Sequence, residues 1–150
     1  MKIAIGADSA GVEMKSAIIE HLRGRGFEVE DCGTNSTESC HYPVFAYAVA
    51  KKVSEKQADM GILVCGTGIG MSIAANKVEG IRASVVSEHF SARYTRLHND
   101  ANVLCLGARV IGTGLALELV DTFVDTPAEG GRHAVRVDMI TQIENKTFKA

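Results

Sequence analysis

Ile62-Leu63-Val64-Cys65-Gly66-Thr67-Gly68-Ile69-Gly70-Met71-Ser72 joins three unlike signals without a break. Ile62 to Val64 read as a short buried strand, three glycines in five residues make a turn, and a short helix follows to Lys77. A strand entering a helix through such a turn is the unit of a parallel sheet, because parallel strands need crossover connections. The same alternation extends in both directions. Upstream, Ile3-Ala4-Ile5 ends at Gly6-Ala7-Asp8 as a first strand. Met14, Ile18 and Leu22 then recur at helical spacing from Val12 to about Arg23, stopped by Gly24 and Gly26. Phe27 to Val29 predicts a second strand. Pro43 opens a helix from Val44 to about Val53, at the first-turn position proline tolerates. Downstream, Ala83 to Val86 and Val103 to Leu106 predict the fourth and fifth strands, with a helix from Ser91 to Leu97 between them. Two helices close the chain, Leu115 to Val124 and one centred on Val135 to Ile143 within about 132–144; Pro127 and Gly130-Gly131 separate them.

Five strands alternating with helices predict a Rossmann-like three-layer sandwich, its five-stranded parallel sheet covered on both faces. The strands, apolar throughout rather than alternating, predict burial on both sides. The length, 150 residues, suits a single domain spanning 1–150. A chain of that size buries roughly 68–70% of its unfolded surface. Apolar residues at 46% and charged residues at 23% exclude a disordered chain. A formal charge of -2 excludes the broadly basic surface of a nucleic-acid binder. No apolar run approaches the ~18 residues of a membrane span, and Met1-Lys2 leads into a strand rather than a signal peptide, so the expected compartment is the cytoplasm, with no membrane partner. Cys32, Cys40, Cys65 and Cys105 form no C-x-x-C pair, as suits a reducing compartment. Cys32 and Cys105 read as small core residues. Cys32, Cys40 and His41 lack zinc spacing with the other histidines, so no metal is expected.

Ligands of such sheets sit beyond the carboxyl ends of the strands, at a switch in strand order. That rule singles out Asp8, Cys65 to Gly70, Ser87-Glu88 and Gly107 to Arg109. The glycines of Gly66-Thr67-Gly68-Ile69-Gly70 permit close backbone approach and turn successive N–H groups towards an anion. The spacing equally suits a plain strand-to-helix turn, and it is neither a P-loop nor a complete dinucleotide fingerprint, which needs glycine where Met71 stands. Cys65 at the head of the loop adds chemistry. A thiol at a helix N-terminus is favoured as thiolate, a base or nucleophile. Asp8 reads as a turn cap or as a group reaching the same edge. Arg132 and Arg136, four apart, share a helix face while His133 points elsewhere; with Arg109 they form either a solvated basic surface or a phosphate clamp. His98 reads equally as a helix C-terminal cap or as a catalytic group. A base, an anion hole and a phosphate clamp without a cofactor motif suit proton abstraction beside a carbonyl.

Three segments carry a family resemblance: Cys65-Gly-Thr-Gly-Ile-Gly-Met-Ser-Ile-Ala-Ala-Asn-Lys77, His98-Asn-Asp-Ala-Asn-Val103 and Glu129-Gly-Gly-Arg-His133. Together, and in this order, they resemble the ribose-5-phosphate isomerase B family, which includes the subunits of galactose-6-phosphate isomerase. The likeness runs from Met1 to about Glu144. It implies a homodimer or tetramer with sites at the subunit interface, the last helix lying there, and a metal-independent, cofactor-free reaction through a cis-enediolate. By the same resemblance Cys65 is the base, and Thr67 and the amides of Gly66, Thr67, Gly68, Ile69 and Gly70 stabilise the enediolate. His98 opens the furanose ring, Asp8 orients sugar hydroxyls, Asn99 and Tyr42 contact the sugar, and Arg109, Arg132 and Arg136 hold the phosphate of a phosphorylated sugar. The implied reaction interconverts ribose 5-phosphate and ribulose 5-phosphate.

Position 9 departs from the family pattern. The family usually carries histidine there, at the phosphate end, and this chain carries Ser9, which removes a charge and much reach. An alternative substrate is therefore a tetrulose 4-phosphate or a hexose 6-phosphate. A tetrose phosphorylated on O4 cannot close a furanose ring, so retention of His98 argues for a cyclising substrate. From other classes come a non-catalytic module binding a sugar phosphate or nucleotide, which has no need of Cys65, and thiol-based nucleophilic catalysis, which wants a histidine beside Cys65.

Overall fold

The computed structural model describes every residue from Met1 to Ala150. Its strands are β1 (Lys2–Ala7), β2 (Glu28–Asp31), β3 (Met60–Cys65), β4 (Ala83–Val85) and β5 (Val103–Gly107). All pairings are parallel, in the order β2-β1-β3-β5-β4. The helices are α1 (Val12–Gly24), α2 (Tyr42–Ser54), α3 (Ile69–Ala75), α4 (His89–Asn99), α5 (Thr113–Asp125) and α6 (Arg132–Glu144), and a 3-10 turn at Ser9–Gly11 leads into α1.

Side chains alternate across a strand, so each central strand feeds two cores. Ile3, Ile5, Ile62, Val64, Leu104 and Leu106 face α1, α4 and α5, where Ile18, Leu22, Ala92, Leu119 and Phe123 cover them. Ala4, Leu63, Cys65, Val103 and Cys105 face α2 and α3, under Val49, Val53, Met71 and Ala75. Continuous apolar strands are thus explained by burial on both faces, as expected for β1, β3 and β5.

The edges correct that expectation. The second strand is Glu28-Val29-Glu30-Asp31 rather than Phe27 to Val29, and only Val29 is buried in it. Its carboxylates meet cations instead: Glu30 takes Lys52 at 2.6 Å and Lys2 at 3.1 Å. Charged edges discourage pairing with another sheet. The opposite edge, β4, is also incompletely covered. The anticipated helices are all present, with ends moved by up to three residues.

One buried cation fixes the approach to β1's end. Lys15 on α1 is fully buried and donates to Asp31 Oδ1 at 2.6 Å and to Asn35 Oδ1 at 2.8 Å. The loop after β2 then pairs with the end of β1, Ala7 N–H donating to Gly33 O and Thr34 N–H to Ala7 O, both at 2.7 Å. This brace stands immediately before Asp8. Burial raises the Asp31 carboxyl, but the Lys15 ammonium and the Gly33 amide outweigh it and hold the group below its usual range.

Asp31→Asn leaves a buried ammonium short of its counter-charge. Breaking a buried pair costs about 3–5 kcal/mol, and with Asp31 partly solvated the expected loss is about 2–3 kcal/mol in chemical denaturation. A carboxyl lowered on folding stabilises above the ordinary Asp range, and that contribution fades as pH falls through it. The wild-type and Asp31→Asn midpoints should therefore differ at neutral pH and converge in acid.

Candidate active site

The order β2-β1-β3-β5-β4 reverses direction between β1 and β3, which puts the loops after these strands side by side. Asp8 N–H donates to Val64 O at 3.1 Å, tying the two strand ends together. Asp8 Oδ1 accepts from Ala10 N–H at 3.0 Å, capping the 3-10 turn that carries Ser9. Asp8 is thus the turn cap that its position suggests, and it also stands beside the Cys65 strand.

After Cys65 the chain bends sharply. Gly68 adopts φ 78°, and a Cβ there would meet Val85 Cγ2 at 2.8 Å and the Leu106 carbonyl carbon at 3.0 Å. The bend returns the Gly68 amide to Cys65, where it donates to Sγ at 3.1 Å. Ile69 N–H donates to Thr67 Oγ1 at 3.3 Å. The expected ring of five donors is therefore reduced: Gly68 and Ile69 are engaged inside the loop, while the amides of Gly66, Thr67 and Gly70 donate to no other group of the chain. Cys65 itself is buried, 5% exposed, on the α2/α3 side of the sheet.

Two further candidates converge on this loop. Ala108 N–H and Arg109 N–H donate to the carbonyls of Cys65 and Gly66, so the turn after β5 is zipped onto the turn after β3. Arg109 lies over Gly66, where a Cβ would stand 3.3 Å from Nη1. The Tyr42 ring, at the start of α2, leaves only 2.7 Å to a Cβ on Gly70. Asp8, Ser9, Tyr42, Cys65 to Gly70 and Arg109 thus gather at the ends of β1, β3 and β5.

His98, Asn99 and Arg136 gather elsewhere. They line an open cleft of about 480 Å³ between α4 and α6, walled by Ser84, Val85 and Tyr94. Val85 and Val86 also wall a smaller cleft containing Thr67 and Ile69, so the β4 end divides the two groups. Within one chain, no hydrogen bond, ion pair or common cleft joins His98, Asn99, Arg132 or Arg136 to the Cys65 loop.

The cleft corrects two expectations and adds a residue that periodicity missed. Arg132 does not line it, whereas His133 does, three positions from Arg136 on the same face of α6. The His133 ring stacks on His98 with centroids 3.9 Å apart and planes 8° apart. Glu129 Oε2 lies 3.6 Å from Nε2 of each histidine. Burial first, then the neighbouring His98, holds the His133 imidazole below its ordinary range against the pull of Glu129. The signal available in the sequence was Glu129, four positions before His133 across the Gly130-Gly131 bend that leads into α6. Glu88, beside the expected sheet-edge position Ser87, serves instead as the α4 cap, its carboxylate accepting from Ser91 N–H at 3.0 Å.

His98, Glu129 and His133 bring their ligand atoms within 4.8 Å of one another, whereas Cys32, Cys40 and His41 do not cluster. Imidazole lone pairs lie in the ring plane, and the parallel planes of these two rings do not meet at one ion. Cys32 sits half-buried just beyond β2, its thiol raised by burial and then by Glu30; Cys105 is wholly buried and raised further. No helix is long and apolar enough to cross a membrane.

A family model described as Ribose/Galactose Isomerase matches residues 3–140. The chain is 52% identical over 145 residues to ribose-5-phosphate isomerase B of Escherichia coli (strain K12), covering 97% of each. It is 44% identical over 147 residues to the D-erythrulose-4-phosphate isomerase of Pectobacterium atrosepticum, again covering 97% of each. The solved ribose-5-phosphate isomerase B of Clostridium thermocellum superposes with a TM-score of 0.96 at 52% identity, over 97% of this chain and 99% of that one.

A methyl group at position 107 tests the loop's dependence on backbone contact. A Cβ on Gly107 would stand 2.8 Å from Thr67 C and O, which are main-chain atoms and cannot swing aside. Gly107→Ala should cost about 1–3 kcal/mol of stability, the usual range for overpacking. The Cys65 loop should move with it, read as a changed rate of Cys65 alkylation by a small thiol reagent.

Proposed function

The chain belongs to the ribose/galactose isomerase family, and on that premise we propose that it interconverts ribose 5-phosphate and ribulose 5-phosphate without a metal or cofactor. The observation that carries this reading is the Cys65 thiol at the switch point, with the Gly68 amide directed at its sulfur. A binding module has no use for that group. As thiolate, Cys65 takes the proton from C2 of the open-chain aldose. The C2–H electrons form the C1–C2 double bond, and the carbonyl π electrons move onto O1 to give the enediolate. The O2 proton passes to O1, the carbon–carbon π electrons take the proton back from the Cys65 thiol at C1, and C2 becomes the ketone carbon. The unengaged amides of Gly66, Thr67 and Gly70, with Thr67 Oγ1, are the donors suited to the enediolate oxygens. Asp8 and Tyr42 flank the sugar, and Arg109 over Gly66 supplies a cation beside the loop.

His98, Asn99, Arg132 and Arg136 complete the reaction from a second copy of the chain. Support comes from two uncovered apolar surfaces: Val44, Tyr47, Ile69 and Ile73 on the neighbouring helices α2 and α3, and the stripe Val135, Met139 and Ile143 on α6. Packed α6 against α2 and α3, two copies bury both surfaces and bring His98 to the partner's sugar. A homodimer is the smallest such assembly, and a tetramer is two of them. Four free thiols, one needed as a base, suit a reducing cytoplasm.

A second reading, a tetrulose 4-phosphate isomerase, is favoured by Ser9 and by the similarity to an isomerase of D-erythrulose 4-phosphate. His98 favours the first, because only a cyclising substrate needs ring opening.

Cys65→Ala and His98→Asn should each abolish or cripple turnover of ribose 5-phosphate, with phosphate-ligand binding preserved in Cys65→Ala. Mixing the two inactive proteins under subunit exchange should restore activity, because one site of a mixed dimer receives both native residues. No recovery despite exchange would remove the shared site. Full activity in Cys65→Ala would remove the base. The substrate is tested separately at position 9. One charged hydrogen bond contributes about 1.5–3 kcal/mol, so Ser9→His should lower KM for ribose 5-phosphate roughly tenfold to a hundredfold at similar kcat. If a tetrulose 4-phosphate is the substrate, the imidazole should impair that reaction instead.

A further inference from the structure

Outside the Cys65 loop, the least expected arrangement is a pair of parallel imidazoles sharing one carboxylate. His133 is the only buried residue of α6, and its Nε2 is the chain's only buried side-chain polar atom without a hydrogen-bond partner. A buried polar atom without a partner is costly, so its retention calls for a reason outside packing. The ring touches the one candidate acid of the cleft: it stacks on His98 at 3.9 Å, while Tyr94 meets the His98 ring edge-on at 4.7 Å. His98 is therefore held between two aromatic groups, with its side chain still 36% exposed to the cleft.

Charge reinforces the arrangement. Two imidazolium ions at this separation repel, and Glu129 is a single carboxylate between them. The groups facing the pair come from each surrounding segment. Glu129 precedes α6, Arg132 and Arg136 belong to α6, and Tyr94 belongs to α4. Asp100 at the α4 end is occupied by Arg82 and Arg96. Burial, His98 and both arginines all disfavour a proton on His133. Of the two rings, His98 is the one that reaches the open cleft.

We propose that His133 is a positioning residue for ring opening: its buried ring is the platform that fixes the His98 imidazole, and Glu129 is the carboxylate that pairs with protonated His98. This rests on the reading of His98 as the ring-opening acid. In that step the His98 imidazolium gives a proton to the furanose ring oxygen and the C1–O4 bond breaks, its electrons staying on O4. The C1 hydroxyl releases its proton to water, and its O–H electrons form the aldehyde. Water later returns a proton to His98.

The test compares a cyclic with an open-chain substrate. Ribulose 5-phosphate has no free hydroxyl with which to close a furanose, so turnover from that side needs no ring-opening acid; the aldehyde formed leaves and cyclises in water. Expected for His133→Ala is a loss of roughly tenfold to a hundredfold in kcat with ribose 5-phosphate, the cost of a misplaced group, and little change with ribulose 5-phosphate. Retained turnover of ribulose 5-phosphate also shows that the variant is folded. His133→Phe, which keeps an aromatic face, should recover much of that loss. Glu129→Gln should move the alkaline limb of the ribose 5-phosphate profile to lower pH, leaving the acid limb in place. Equal losses on both substrates, or an unmoved alkaline limb, overturn the proposal. His98→Asn separates the two levels. If it spares ribose 5-phosphate, the reading of His98 fails; if it impairs only ribose 5-phosphate while His133→Ala does not, the positioning role alone fails.

Discussion

The main chain of Thr67 lies where a side chain on Gly107 would stand, and the rest of the site follows from that contact. Only a residue without a Cβ lets the loop after β3 close over the end of β5. Once closed, the loop is held by Ala108 and Arg109 donating to Cys65 and Gly66 carbonyls. The closure sends the Gly68 amide back to the Cys65 sulfur and lays Arg109 over Gly66. A thiol, a donor and a cation are thereby set by backbone geometry, so the main chain decides where the proposed base stands. Rigid placement of this kind is how a site keeps a reacting atom in line without paying for order at each turnover.

The second group of candidate residues is held differently. His98 and Asn99 occupy the end of α4, where Asp100 takes up a left-handed cap conformation. Its carboxylate bridges Arg96 at 2.8 Å and Arg82 at 3.3 Å, and Arg96 also donates to the carbonyls of Ala101 and Thr126. Arg96 is buried, its guanidinium over the Phe123 ring at 5.5 Å from the centroid, close enough for cation–π attraction. The α4 terminus is thus anchored to α5 and to the strand edge by charge, whereas α6 rests on α4 with almost all of its surface open. One half is fixed by backbone against backbone, the other by long side chains.

Legibility from sequence divides along the same line. Gly66, Gly68 and Gly70 behind Ile62-Leu63-Val64 made the strand, the turn and the helix readable, because each rests on neighbouring residues. The central strands were readable too, since burial on both faces leaves a continuous apolar run. The β2 edge was not: Glu28 and Glu30 are polar because they answer Lys2 and Lys52, which are distant in sequence. His133 was misplaced for a related reason. A helical wheel groups Arg132 with Arg136, but which face of α6 turns inward is decided by α4, and that packing puts His133 against His98. The division of the candidate residues between two clefts was likewise invisible, because it depends on where the β4 end stands.

Proton removal from carbon tolerates little error in the position of the base, while recognition of the sugar's length and ring form can be varied without disturbing it. In this fold the two demands fall on different parts of the chain. Cys65 sits at the end of a fully buried strand, among residues that also carry the core, so a change there risks the sheet. Ser9, Arg132 and Arg136 lie in a single 3-10 turn and on an exposed helix, where replacement disturbs few neighbours. With Cys65 as the proposed base, selectivity among sugar phosphates can shift at these positions while the base and its loop stay as they are, because the two demands rest on different contacts.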